Sequence, residues 1–142
     1  MEQLRSRIVS LLQELGYYLY EMEYVTEEGE RILRVMIEHD RPITLDDCVL
    51  VSERLNAMLD EDDPFEEAYH LEVTSAGAEH ELRNAEEIQR HIGELVHVKT
   101  FDQQFTGHLH AYQEGRITIR FSDNTQTVID ELDVQLLRLT IQ

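Results

Sequence analysis

From Leu95 to the C-terminus most apolar residues fall on every second position, in short runs separated by turn-forming pairs. Side chains that alternate with a period of two line one face of a strand and cannot line one face of a helix. The runs are Val96 and Val98, then Phe105, Gly107 and Leu109, then Ile117, Ile119 and Phe121, then Val128 and Ile129, and last Leu137, Leu139 and Ile141. Asp102-Gln103, Glu114-Gly115 and Asp123-Asn124 supply turns, and Asp130–Asp133 reads as a one-turn helix.

Five strands in under 50 residues predict a small SH3-like or Sm-like β-barrel. The preceding half has a different rhythm. Leu4, Ile8, Leu11, Leu12 and Leu15 recur at helical spacing, and Gly16 is placed to cap that helix. Tyr18, Tyr20, Met22 and Tyr24 then alternate with Leu19, Glu21 and Glu23, which predicts a strand. A turn at Glu27–Glu30 leads to a second strand with Leu33, Val35 and Ile37 on one face, and the two form an antiparallel hairpin. Thr44 with Asp47 three residues on is a capping-box variant. It opens a helix expected to run to about Leu59, with Leu45, Cys48, Val51, Ser52, Leu55, Met58 and Leu59 facing inward. The acidic run Asp60–Asp63 and Pro64 should end it as a loop, because carboxylates at a helix C-terminus are unfavourable. A third strand carries Tyr69, Leu71 and Val73. Small residues at 74–78 mark a boundary, and Asn84 with Glu87 caps a short helix that ends before Gly93. The expectation is an α+β chain: an α-β-β-α-β N-terminal domain over residues 1–76 and the barrel over 77–142.

Charge separates the function classes. The net formal charge is −18, with Lys99 and 11 arginines as the only cationic side chains besides histidine. Residues 1–76 carry 6 basic and 19 acidic groups, a net of −13, and residues 77–142 carry 6 and 11, a net of −5. Phosphate backbones repel such a chain, whereas basic polypeptides are attracted and steered by it. Cys48 is the single cysteine, so neither a disulfide framework nor a cysteine zinc site is available, as expected of a reducing cytoplasm. No apolar run approaches the roughly 20 residues that span a bilayer. Cys48 reads as a small core residue whose acidic neighbours disfavour a thiolate. Carboxylates are abundant, but none has acid–base spacing, and there is neither a Gly-rich phosphate loop nor a serine elbow.

Three groups of residues are candidates for binding. Asp60, Glu61, Asp62, Asp63, Glu66 and Glu67 could receive a basic protein. Lys99, Arg116, Arg120 and Arg138 could touch RNA if the fold brought them to one face of the barrel, the route by which an RNA-binding Sm-like module would act. Pairing Val98 with Gly107 places His97 opposite His108, with His110 nearby; histidines exposed on strands are usually polar surface, and no metal is predicted. Tyr17, Tyr18, Tyr20 and Tyr24 lack flanking cations and read as packing groups rather than base-stacking ones.

Across nearly its whole length the order of short motifs resembles the RimP family of ribosome maturation factors. The similar segments are Gly16-Tyr17 through Tyr24, Leu33-Arg34-Val35, Ile43 to Cys48 with Val51-Ser52, Leu55 and Leu59-Asp60, Leu71 to Ser75 with Gly77, Ile92-Gly93, Val96-His97-Val98 and Phe105-Thr106-Gly107. The resemblance implies a monomeric, non-enzymatic, cytoplasmic factor for assembly of the small (30S) ribosomal subunit. It also implies no cofactor, association with the free subunit and with its basic protein twelve, and RNA contact as a secondary matter. The linker departs from the family pattern. Ser75-Ala76-Gly77-Ala78-Glu79-His80-Glu81 lacks the two usual prolines, and His80 and Glu81 stand where an arginine and a proline are expected.

Overall fold

The computed structural model describes residues 1–141 and divides into two compact units, Met1–Ala76 and Gly77–Gln142. In the first unit the order is α1 (Glu2–Leu15), β1 (Tyr18–Glu27), β2 (Glu30–Glu38), α2 (Leu45–Glu61) and β3 (His70–Ser75). Gly16 ends α1 in the left-handed region at φ 90°, a conformation that costs glycine little. Glu28 and Gly29 both take positive φ in the two-residue turn between β1 and β2, the geometry that matches strand twist. The sheet order is β1-β2-β3, antiparallel and then parallel, with α2 as the crossover. Ile8, Leu12, Leu33, Val35, Ile37, Val51 and Leu55 are fully buried between the sheet and the helices.

Three expectations for this unit need correction. Leu45 is 79% exposed and Asp47 is buried in its place on the inward face of α2. Position 47 lies two residues, about 200°, around the helix from position 45, and the hydrogen bonds of Asp47 fix which of them turns inward. The helix also continues through Asp60 and Glu61, so only Asp62 onward is loop. Finally, Tyr20 is an extra residue in β1, because Leu19 pairs with Ile37 and Glu21 with Met36. The bulge puts Leu19, rather than Tyr20, on the core side with Met22 and Tyr24.

The second unit contains α3 (Ala85–Arg90), β4 (Leu95–Thr100), β5 (Gln104–Gln113), β6 (Arg116–Arg120), β7 (Gln126–Asp130), a single 3-10 turn (Glu131–Asp133) and β8 (Val134–Leu139). The five strands form one antiparallel sheet in the order β7-β6-β5-β4-β8. Closure into a barrel is not found among the described pairings. The outer edge of β8 is met by residues 80–82, through the bridge of Glu81 to Arg138 and the Leu82 amide donating to the Leu137 carbonyl. Val96, Val98, Leu109, Ile117 and Ile119 fill the core with Leu82 and Ile88. No helix among the described residues is long and apolar enough to cross a membrane.

The β4–β5 register differs from expectation by two residues. Val98 pairs with Phe105 and His97 with Thr106, while His108 sits opposite Leu95. The turn fixes this, since Thr100 and Gln103 close it with a 2.9 Å backbone bond. His110 is the extra residue of a bulge between Leu109 and Ala111. The expected His97–His108 pair is therefore not formed. His97 instead lies 3.1 Å from the Thr106 hydroxyl and 3.2 Å from Gln104 Oε1.

Candidate functional site

The acidic loop of the first unit stands on an aromatic base. Phe65 stacks flat on Tyr24, with centroids 3.9 Å apart and planes at 4°, and Tyr69 meets both rings edge-on. Local bonds hold the chain there. The Phe65 amide donates to Asp63 Oδ1 at 3.3 Å, and the Tyr24 hydroxyl donates to Glu67 Oε1 at 2.9 Å. Burial first, and then the charges of Asp63 and Asp60, push the Tyr69 hydroxyl above its ordinary pKa, so these two carboxylates lie close to the aromatic group. The Tyr24 hydroxyl is the largest cause holding the Glu67 carboxyl below its ordinary range.

The six acidic candidates are not equivalent. Asp62 turns toward α1, where Arg7 reaches it at 3.4 Å, and Glu67 has Arg31 at 3.8 Å. Asp60, Glu61, Asp63 and Glu66 are exposed and have no cation within 4.0 Å among the described residues. Glu67 and Asp63 are bonded to the aromatic segment, through the Tyr24 hydroxyl and the Phe65 amide, and the charge of Asp60 also acts on Tyr69.

Two polar clusters in this unit went unseen in the sequence. The first is built on Asp47. Arg41 donates to both of its carboxylate oxygens at 2.8 Å, the Thr44 amide donates at 2.7 Å, and the buried Tyr17 hydroxyl donates to Oδ1. Arg41 above all, then Tyr17 and Thr44, hold the Asp47 carboxyl far below the usual carboxylate range. The Asp47 amide returns a bond to the Thr44 hydroxyl, which completes the capping box. Of this set, only the Thr44–Asp47 spacing was visible beforehand. The second cluster centres on Arg34, which the sheet register places between Glu23 and Glu72 and which also binds Glu27. Both clusters are fully occupied by their own partners and brace the fold. Cys48 is half-buried, and burial, followed by the Asp47 charge, raises its thiol pKa; it has no nucleophile's environment.

In the second unit the basic candidates lie on the outward side of the sheet but are spread along it, from Lys99 opposite Gln104 to Arg116 opposite Gln113. Val96, Val98, Leu109, Ile117, Ile119, Leu137 and Leu139 point inward, so the intervening Lys99, Arg116, Arg120 and Arg138 point outward. Cross-strand pairing puts His97 between Arg138 and Thr106, and Arg120 between His108 and Gln126. Arg138 is already engaged, at 3.4 Å from Glu79 and 3.2 Å from the Leu139 carbonyl. Lys99, Arg116 and Arg120 have no ion-pair partner among the described residues.

A family model described as the RimP N-terminal domain matches residues 7–79. The match takes in α1 from Arg7 onward and the other four elements of the first unit, in their α-β-β-α-β order, and runs to Glu79 just beyond it. Because it covers just over half of the 142 residues, the chain belongs to the RimP family, a family of ribosome maturation factors and not of enzymes.

Proposed function

We propose that the chain serves maturation of the small ribosomal subunit by binding alone, as a cytoplasmic monomer, and that its N-terminal domain receives a basic small-subunit ribosomal protein. Protein twelve, the partner implied by the family resemblance, has the required charge. Residues 1–76 and 77–142 act as the two domains of this factor.

The observation that carries the reading is the exposed, cation-free set Asp60, Glu61, Asp63 and Glu66, of which Asp63 and Asp60 act on the aromatic base of Tyr24, Phe65 and Tyr69. A carboxylate already held by a local bond, as Asp63 is by the Phe65 amide, loses little freedom when a lysine- or arginine-rich segment arrives. Their exposure means that they act chiefly on encounter rate and orientation. Asp62 and Glu67 support the patch by tying it to Arg7 and Arg31. The test is stopped-flow association of the full chain with the purified basic protein. The triple variant Asp60→Lys, Asp63→Lys, Glu66→Lys should associate about tenfold more slowly at low salt, with a flatter salt dependence. An unchanged low-salt rate overturns the proposal.

A further inference from the structure

We infer that the outward face of the C-terminal sheet, centred on Lys99, Arg116 and Arg120 with Phe101 at its margin, binds single-stranded RNA through its backbone and one stacked base. This face runs against the charge of the rest of the molecule. Among the described outward-facing strand positions of the sheet, Asp130 is the single carboxylate, and it makes no ion pair with Arg116 across the β6–β7 ladder. Neighbouring positions carry Thr106, His97, His108, Gln104, Gln126 and Thr118.

In the first unit Arg7, Arg31, Arg34 and Arg41 are each within 4.0 Å of a carboxylate, and the two arginines without one, Arg5 and Arg54, stand on different helices rather than on one sheet face. A chain with 30 acidic residues that leaves three cations unpaired on one face keeps them available to an outside anion. By register Lys99 lies level with Gln104 at one end of β5, Arg120 with His108, and Arg116 with Gln113 at the other end, so the three cations are spread over roughly 25–30 Å of strand. That spread suits a run of phosphates better than one small anion.

Phe101 selects the kind of polyanion. It is 75% exposed at the tip of the β4–β5 turn, two residues from Lys99. An aromatic ring near Lys99, at one end of the row of cations, can stack an unpaired base, which an acidic peptide lacks and a duplex keeps inside. Binding depends on cations that the acidic loop does not share, so it can fail or hold independently of the protein-docking reading.

The experiment is fluorescence anisotropy of the full chain with a short labelled oligouridylate from about 20 to 200 mM salt. Three phosphate contacts give a slope of log affinity against log salt near −2 for a single strand. Each of Lys99→Gln, Arg116→Gln and Arg120→Gln, all exposed positions, should make the slope shallower by about 0.7. Phe101→Ala should weaken binding about fivefold or more at every salt concentration without changing the slope. No binding at about 20 mM salt, or slopes that ignore the three substitutions, overturns the site. Equal affinity for poly-glutamate, or for a blunt duplex with Phe101→Ala silent, overturns the assignment to single-stranded RNA.

Discussion

Gly107 offers the sharpest test of the packing described for the C-terminal unit. It is buried in β5, opposite Val96, in an ordinary extended conformation that alanine also adopts. A methyl group built there would meet Ile119 Cγ2 at 2.5 Å, the Arg120 carbonyl oxygen at 3.1 Å and Phe121 Cδ1 at 3.3 Å. Carbon atoms rest at about 3.5–4.0 Å, so the first contact overlaps by about 1 Å. Ile119 is fully buried and the Arg120 carbonyl is backbone, so neither can simply swing aside. Overpacking of this kind costs about 1–3 kcal/mol. Alanine recovers about 0.4–1 kcal/mol by restricting the unfolded chain, which leaves Gly107→Ala destabilising by about 1–2 kcal/mol. For a unit of this size that is a fall of roughly 5–15 °C in Tm. Circular dichroism melts measure it, and hydrogen exchange at the Leu109 amide, which donates to the Glu94 carbonyl, localises it to this unit. Ile119→Leu removes the offending branch methyl while keeping the volume, so the double variant should recover at least about 0.5 kcal/mol relative to the sum of the two changes. Additive behaviour, or a Gly107→Ala protein within about 0.5 kcal/mol of the parent, would refute this account of why position 107 is glycine.

Two further predictions concern the N-terminal unit. The Asp47 carboxyl is held below its ordinary range by Arg41, Tyr17 and Thr44, so its contribution is present above the unfolded pKa of about 3.9 and is lost as pH falls toward the depressed folded value. Urea midpoints should therefore drop more steeply below about pH 4 in the parent than in Asp47→Asn, and parallel curves would contradict this. Glu28 sits at φ 52° ahead of Gly29 in the hairpin turn, a position that asparagine occupies at lower cost. Glu28→Asn should raise stability by about 0.5 kcal/mol in urea unfolding; a loss would mean that the turn is not of this type.

Local chemistry was legible in the sequence because its partners are neighbours along the chain. The Gly16 cap, the Thr44–Asp47 box, the Asn84–Glu87 cap and the inward set Leu33, Val35 and Ile37 all depend on spacings of one to four residues. Alternation in the second half gave five antiparallel strands, but it left open how they pair. A slip of two residues keeps every side chain on its face, so nothing in the alternation could choose between His108 and Thr106 as the partner of His97. The turn bond between Thr100 and Gln103 made that choice.

Tertiary structure also set the phase of α2, where Tyr17 and Arg41 drew Asp47 inward and left Leu45 in solvent. It likewise inserted the bulge at Tyr20, which exchanged the faces of β1. Charge divides in the same way. The sum of −18 is fixed by composition and points to basic partners for the acidic N-terminal half. A sum carries no positions, however. Only the order β7-β6-β5-β4-β8 puts Lys99, Arg116 and Arg120, spread over 22 residues of chain, on one sheet face whose described strand positions carry Asp130 as their single carboxylate. Side-chain period follows from the covalent chain, whereas which strands become neighbours depends on contacts between residues far apart in sequence.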